Sequence, residues 1–233
     1  MNTPGSLCPS MKAAEIVGDK WTLLILRELF LGSTRYNDFQ RALPRISPTI
    51  LSKRLKQLEK NGLIVHKKTV GGKGGEYRLT RSGRELAPIV DSLARWGLRW
   101  ARDQLCEVDL DAGGFMWDFH RTLRCDELPD GETVFCVIFN DQDRQSKWWM
   151  VAKDGVVDLC NDDPGRDVDL YITGKLADVA TVWRGDIGIV SALDDKAVVL
   201  SGAGHLTKYP DRWFPKSIYS EVVLEEIKRA EEG

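Results

Sequence analysis

The chain has 233 residues, of which 42% are hydrophobic and 29% are charged, a composition that excludes a disordered or membrane-embedded protein. Its five cysteines include no C-x-x-C pair, which argues against a disulfide framework and a zinc site. The sequence begins with no apolar segment, which argues against a signal peptide, so we expect a cytoplasmic protein. The net charge is −2, but residues 1–105 contain 19 Lys and Arg against 9 Asp and Glu, and residues 106–233 contain 14 against 26.

This division of charge predicts two domains with different partners. A half of net charge +10 is a candidate for binding a polyanion, and it is joined to a half of net charge −12. A chance partition of surface charge is the alternative. We therefore expect a domain over residues 1–105, a linker over 106–114 and a second domain over 115–233.

The first predicted elements are two helices. Lys20–Leu31 is apolar on nearly all sides, which predicts a buried helix, and Gly32 is placed where a left-handed residue ends it. Thr34 is expected to cap a short second helix over Arg35–Ala42.

The third predicted helix has two distinct faces. Ser47 followed by Pro48 is a helix start signal, and the helix is expected to end at Lys60. At 100° per residue its leucines form one stripe: Leu51, Leu55 and Leu58. The opposite side carries only polar and basic residues, namely Thr49, Ser52, Lys53, Lys56, Gln57 and Lys60. These two faces suit a helix that is seated on a core and laid in the major groove of DNA, although an ordinary solvated helix face has the same pattern.

A β-hairpin is predicted next. Strands are expected over Leu63–Lys68 and Glu76–Thr80, with a glycine-rich tip that contains Lys73. The tip is not a phosphate-binding loop, because Lys73 is followed by glycine rather than serine or threonine. A basic hairpin beside the third helix is typical of a winged helix-turn-helix.

Ser82–Leu105 is predicted to form one long helix with an apolar stripe. The stripe contains Leu86, Ile89, Val90, Leu93, Trp96 and Trp100. We expect Leu86, Val90, Leu93, Trp96 and Trp100 to form a homodimer interface, since a two-fold dimer sets the third helices of its two subunits one turn of duplex apart. Packing against the acidic half is the alternative.

Residues 8–105 resemble the HxlR-type family of bacterial winged helix-turn-helix transcriptional regulators. The resemblance rests on four segments: Cys8-Pro9, GDKWTLLILREL, YNDFQRALPRISPTILSKRLKQLEKNGLI and EYRLTRSGREL. It implies a homodimer that binds double-stranded operator DNA and either represses or activates. Carried over to this chain, the recognition helix includes Ser47, Thr49, Lys53, Arg54 and Lys56, and the wing tip is Lys73.

Two sets of DNA contacts are expected. The phosphate contacts come from Lys53, Lys60, Lys67, Lys73 and Arg78. The base contacts come from Thr49, Ser52, Arg54, Lys56 and Gln57.

Cys8 is a candidate redox sensor. Some members of the resembled family sense oxidants or electrophiles through a matching cysteine. A thiol just before a helix that begins at Pro9, with Lys12 one turn further on, has a lowered pKa. A passive cysteine at the N-terminus is the alternative.

The acidic half predicts an α+β domain. Strands and helices are expected in this order: strands Thr133–Phe139, Lys147–Lys153, Val156–Cys160 and Val168–Ile172, helix Gly174–Arg184, strand Ala197–Leu200 and a helix over about Tyr219–Arg229. The segments ITGKLADVATVWRGD and KAVVLSG are similar to the sterol carrier protein 2 fold, which implies an apolar ligand cavity. The residues expected to line it are Trp117, Phe119, Trp148, Trp149 and Trp183, unless these aromatics form only the core.

No catalytic motif, cofactor motif or metal loop is found, so the sequence predicts no enzyme. The fold class expected is α+β, with a winged helix-turn-helix domain followed by a sterol-carrier-protein-2-like domain. The function expected is that of a DNA-binding transcriptional regulator located at the nucleoid, with an effector or interaction domain. The alternative is a carrier of acyl ligands whose winged domain serves only for protein contacts.

Overall fold

The computed structural model describes residues 7–68, 74–101 and 110–231, which form two compact units. The first unit comprises residues 1–94 and the second comprises residues 95–233, so the division lies within one helix rather than after residue 105. Lys73, the predicted wing tip, lies outside the described residues.

The first unit is a helix-turn-helix followed by a hairpin. Its elements in chain order are α1 (Pro9–Val17), α2 (Lys20–Phe30), α3 (Tyr36–Ala42), α4 (Pro48–Lys60), β1 (Ile64–Lys68), β2 (Gly75–Leu79), α5 (Arg81–Arg84) and α6 (Ala87–Trp100). The two strands are antiparallel, with Ile64 opposite Leu79. The core is built from side chains of α2, α3, α4 and β1 that are at most 8% exposed, among them Ile25, Phe39 and Leu55.

The ends of these helices follow largely from local sequence. Gly32 and Gly62 have φ angles of +93° and +69°, a left-handed conformation that glycine adopts without steric cost at a helix end. Ser47 caps α4 as expected, with its Oγ accepting the N–H of Ile50 at 3.3 Å. The expectation that Thr34 caps α3 is wrong: Arg35 is the N-cap residue, and the Asp38 carboxylate accepts the N–H groups of both Thr34 and Arg35.

The predicted helix from Ser82 to Leu105 is interrupted. A short α5 ends at Arg84, and α6 begins at Ala87. Pro88 has no N–H to donate to a preceding turn and is tolerated in the first turn of a helix, so the helix restarts there. Most of residues 101–105 lie outside the described part of the chain.

The second unit is a five-stranded sheet with helices. Its elements are α7 (Ala112–Arg121), a 3-10 helix (Cys125–Glu127), β3 (Glu132–Phe139), β4 (Lys147–Lys153), β5 (Val156–Cys160), β6 (Leu170–Gly174), α8 (Leu176–Arg184), α9 (Ile189–Asp194), β7 (Val198–Gly202), α10 (Gly204–Lys208), α11 (Pro210–Trp213) and α12 (Ser220–Glu231). The strand order is β5-β4-β3-β6-β7, and only the β3–β6 pair is parallel.

The core of this unit lies between one face of the sheet and the helices. Phe135 and Val137 of β3 stand opposite Met150 and Trp148 of β4, and all four side chains are at most 7% exposed. Side chains of α7, α8, α9, α10 and α11 pack on the same cluster. The unit is therefore a mixed α+β fold, as the sequence predicts.

One predicted boundary differs. The linker was expected to end at Gly114, but α7 begins at Ala112, where the Asp111 side chain accepts the N–H of Gly114 at 2.8 Å. The cap places both glycines in the first turn, so the pair of glycines belongs to a helix.

Candidate nucleic-acid interface

Helix α4 presents the two faces that its sequence predicts. Leu51, Leu55 and Leu58 are 0–1% exposed and seat the helix on the core. The exposed side carries Thr49, Lys53, Lys56 and Lys60, whereas Ser52, Arg54 and Gln57 are half-buried at its margin. An open, shallow depression on this side is lined by Pro48, Thr49, Ser52, Lys53 and Lys56.

Contacts from α3 fix the beginning of α4. The Tyr36 hydroxyl donates to the Pro48 carbonyl oxygen at 3.0 Å and lies 3.3 Å from the Ser52 hydroxyl. The first contact joins residues that are 12 positions apart in the chain, and the second joins residues that are 16 positions apart. They orient the N-terminal turn of α4, which is the turn that a recognition helix points at the bases.

Arg54 holds α4 against α2. Its Nη2 donates to Asp19 Oδ2 at 2.7 Å, and its Nη1 donates to Gln57 Oε1 at 3.1 Å. The other oxygen of Asp19 caps α2 by accepting the N–H groups of Trp21 at 3.0 Å and Thr22 at 3.3 Å. We name the Asp19–Arg54 pair with its bond to Gln57 the α2–α4 clamp.

The clamp changes the roles expected of two residues. Arg54 and Gln57 were expected to reach base edges, but the guanidinium of Arg54 points toward α2 and engages the Gln57 amide. This geometry ties both side chains to contacts within the first unit.

The hairpin is fixed beside the C-terminal end of α4. The Tyr77 N–H donates to the Thr34 carbonyl oxygen at 2.7 Å, which joins β2 to the segment before α3. The Thr80 hydroxyl lies 2.7 Å from the Gly62 carbonyl oxygen and 3.1 Å from that of Leu63. The base of the hairpin is thus tied to the turn that ends the lysine-bearing helix.

Lys67 and Arg78 are two of the predicted phosphate-binding cations of the hairpin, and Arg78 forms an ion pair. Lys67 is exposed on β1, with Lys68 beside it. Arg78 is also exposed, but its Nη2 and Nε contact a Glu76 oxygen at 2.7 and 3.2 Å. The hydrogen bond and charge of Arg78 lower the pKa of Glu76, so the carboxylate stays ionised and offsets part of the Arg78 charge.

The predicted interface residues, Leu86 just before α6 and the other four within it, fall into two groups. Leu86 and Val90 pack against the core of the first unit. Leu93, Trp96 and Trp100 are 49%, 57% and 73% exposed. Ile89, one turn before Leu93, is 56% exposed and extends the same stripe. Three of the five predicted residues therefore form an exposed apolar face on one helix.

Cys8 occupies the N-cap position of α1, directly before Pro9. The backbone N–H groups of Met11 and then Ser10 lower the pKa of its thiol, which agrees in direction with the expected effect of a helix N-terminus. Lys12, which was expected to add to this effect, forms an ion pair with Glu15 at 2.7 Å.

The five aromatics proposed to line a cavity do not share one site. Phe119 and Trp148 are 0% and 7% exposed members of the packed core. Trp183 packs at its edge, with its Nε1 donating to the Thr122 hydroxyl at 2.9 Å. Trp149 follows Trp148 on β4 and so faces the other side of the sheet.

Across residues 7–68, 74–101 and 110–231, no helix is long and apolar enough to cross a membrane. In the same part of the chain, no three His, Cys, Asp or Glu side chains cluster as they would to hold a metal ion.

Comparisons with known proteins concern the first unit. Residues 16–105 match the family described as HxlR-like helix-turn-helix. An uncharacterised HTH-type transcriptional regulator of Synechocystis, sll1512, is 36% identical over 112 residues, which cover 47% of this chain and 82% of the relative. YvaP of Bacillus subtilis, also an uncharacterised HTH-type transcriptional regulator, is 38% identical over 98 residues, or 40% of this chain and 89% of the relative. Among solved structures, the redox regulator HypR in its oxidised form is 33% identical with a TM-score of 0.36, covering 39% of this chain and 94% of HypR.

Proposed function

The chain belongs to the HxlR-like helix-turn-helix family, and we propose that it regulates transcription by binding operator DNA. The observation that carries this proposal is the exposed side of α4. Lys53, Lys56 and Lys60 stand on one face of a helix whose leucines are fully buried. A helix that is fixed on its core and whose lysine-bearing face carries only polar and basic groups suits a major groove between two rows of phosphates.

The two sets of contacts are assigned as follows. Lys53, Lys60 and Lys67 are exposed and bind phosphates, which provides affinity without sequence preference. Thr49, Ser52 and Lys56 line the depression on α4 and reach base edges. From the sequence, Lys73 and Arg78 add phosphate contacts from the wing. Arg54 acts through the α2–α4 clamp, which sets the angle at which α4 enters the groove.

We further propose that the protein acts as a homodimer joined through α6. The support is the row of Ile89, Leu93, Trp96 and Trp100, each 49% or more exposed. Two tryptophans and two aliphatic side chains at 3–4-residue spacing form a continuous apolar face, and a two-fold axis buries it against its copy.

The second unit is proposed as an effector or interaction domain. The resemblance to the sterol carrier protein 2 fold rests on a strand that leads through Gly174 into a helix, followed by a strand that ends in glycine. The described elements β6, α8 and β7 have this order. An apolar ligand between sheet and helices would need displacement of packed aromatics such as Phe119, which is fully buried. A carrier of acyl ligands therefore has less support than a regulator.

Selection of genomic fragments tests the proposal. The full-length protein is immobilised, incubated with sheared DNA of its own genome in dilute buffer, and the retained fragments are sequenced. We expect enrichment of a few intergenic fragments that share a two-fold symmetric sequence. A variant with Lys53→Gln and Lys56→Gln should lose the enrichment, whereas the control with Lys153→Gln and Lys175→Gln, both on the second unit, should retain it. Uniform recovery of all fragments, or none, contradicts operator binding.

A further inference from the structure

We propose that a groove in the second unit binds a small organic anion with an apolar, ring-sized body. The groove lies between the 3-10 helix with its following residues Leu128-Pro129 on one side and helices α10 and α11 on the other. Its volume is about 290 Å³, close to the lower limit of small-molecule sites. None of the residues expected to line an apolar cavity takes part in it.

The floor of the groove is apolar. Leu206 and Trp213 are 1% and 2% exposed and belong to the core of the unit, and Leu128 packs against the same core. The indole N–H of Trp213 donates to the Leu206 carbonyl oxygen at 2.9 Å, so this polar atom already has its partner. The floor is therefore closed and nonpolar, and the apolar surface that a ligand meets belongs to Leu128, Pro129 and Tyr209.

The rim of the groove is basic and aromatic. His205 of α10, Tyr209 between the two helices and Arg212 of α11 line it, and all three side chains are exposed. The Arg212 guanidinium lies 4.9 Å from the centre of the Tyr209 ring. Lys208 Nζ lies 5.2 Å from the same ring, beside the residues that line the groove.

These two cations have no carboxylate partner within the described residues, although the second half of the chain is strongly acidic. In the same unit Arg124, Arg166 and Arg184 each form an ion pair with a carboxylate. The charge of Arg212, which lines the groove, is therefore available to an anion bound there, and the neighbouring Lys208 adds positive potential. The rim thus selects negative charge.

The acidic group that lines the groove is already compensated. Glu127 accepts a hydrogen bond from Arg124 Nη2 at 3.3 Å. Arg124 also donates through Nη1 to the Asp211 carbonyl oxygen at 3.3 Å, which joins the two walls of the groove. A carboxylate ligand with a flat apolar body satisfies both parts of the site, because its charge meets Arg212 while its ring packs against Leu128, Pro129 and Tyr209.

Ligand-observed NMR titration of the full-length protein tests the site, with benzoate as the probe and neutral benzamide as its isostere. We expect benzoate to bind with a dissociation constant of about 1 mM, a value reasonable for so small a ligand. Benzamide is expected to bind about tenfold more weakly, since it lacks the charge. Arg212→Gln and Lys208→Gln should each weaken benzoate binding about fivefold, and Lys153→Gln, outside the groove, should leave it unchanged.

Three results would overturn the proposal: no saturable benzoate signal, equal affinity for benzoate and benzamide, or wild-type affinity in both rim variants. Both rim side chains are exposed, so the variants are expected to keep the far-ultraviolet circular dichroism of the wild type. If Arg212→Gln loses that spectrum, Lys208→Gln alone decides the outcome.

Discussion

The α2–α4 clamp makes a quantitative prediction for Asp19. One oxygen of this carboxylate caps α2 and the other pairs with Arg54, so Asp19→Ala removes both interactions and Asp19→Asn removes only the charge. Loss of the cap costs about 1 kcal/mol, and asparagine caps as well as aspartate. The side chains of Arg54 and Asp19 are 24% and 36% exposed, so solvent screens the ion pair and its loss costs about 1 kcal/mol.

These values give the expected rates of amide exchange. Hydrogen exchange measured by mass spectrometry on the full-length protein resolves peptides from α2 and α4, and a peptide from β3 and β4 serves as an internal control. In Asp19→Ala the α2 peptide loses both the cap and the ion pair, about 2 kcal/mol, and should exchange about 30-fold faster, whereas the α4 peptide loses only the ion pair and should exchange about fivefold faster. Asp19→Asn should increase exchange about fivefold in both peptides and leave the control peptide unchanged.

Ser47→Ala is the matched variant, because it removes a cap from α4 without removing an ion pair. It should increase exchange about fivefold in the α4 peptide alone. If Asp19→Asn leaves exchange of the α4 peptide at the wild-type rate, the charge of Asp19 does not hold α4, and the positioning role of Arg54 is refuted.

Three further predictions concern base contacts, assembly and thiol chemistry. Thr49→Ala should change the base preference at one position of each half-site in a site-selection experiment; an unchanged preference removes Thr49 from the base-contacting set. Replacing Leu93 and Trp96 together by glutamate should give a monomer of 26.3 kDa by light scattering. The control Ile187→Glu, which changes an exposed apolar residue of the second unit, should keep the mass of the dimer. A wild-type mass in the double variant contradicts dimerisation through α6. The pH midpoint for reaction with iodoacetamide should be lower for Cys8 than for Cys125, since the thiolate is the reactive form. The backbone amides of Met11 and Ser10 lower the pKa of the Cys8 thiol, whereas burial and the charge of Asp126 raise the pKa of the Cys125 thiol. Equal midpoints in peptide mapping would contradict it.

The sequence predicted the local features of the first unit well, because each has a local physical cause. The range of α4 follows from Ser47 and Pro48 at its start and from a glycine at its end, and the buried leucines follow from helical spacing. The strands Lys147–Lys153 and Val156–Cys160 were predicted to the residue, since Asp154 and Gly155 form a tight turn between them.

The features that sequence reasoning missed depend on residues far apart in the chain. Arg54 pairs with Asp19 across 35 positions, so no local pattern distinguishes it from a DNA-contacting arginine. The second-unit groove joins Glu127 and Leu128 to residues about 80 positions later. Helices α9, α10 and α11 have only four to six residues each, too few turns for a periodic pattern to emerge.

The central claim, that the face of α4 binds duplex DNA, is tested most directly by the salt dependence of binding. Fluorescence anisotropy is measured with a fragment recovered in the genomic selection, over a range of salt concentrations. The variant with Lys53→Gln and Lys60→Gln should bind more weakly, and the slope of log affinity against log salt should fall by about two units, since each lost phosphate contact contributes about 0.9. A slope equal to that of the wild type would contradict the account.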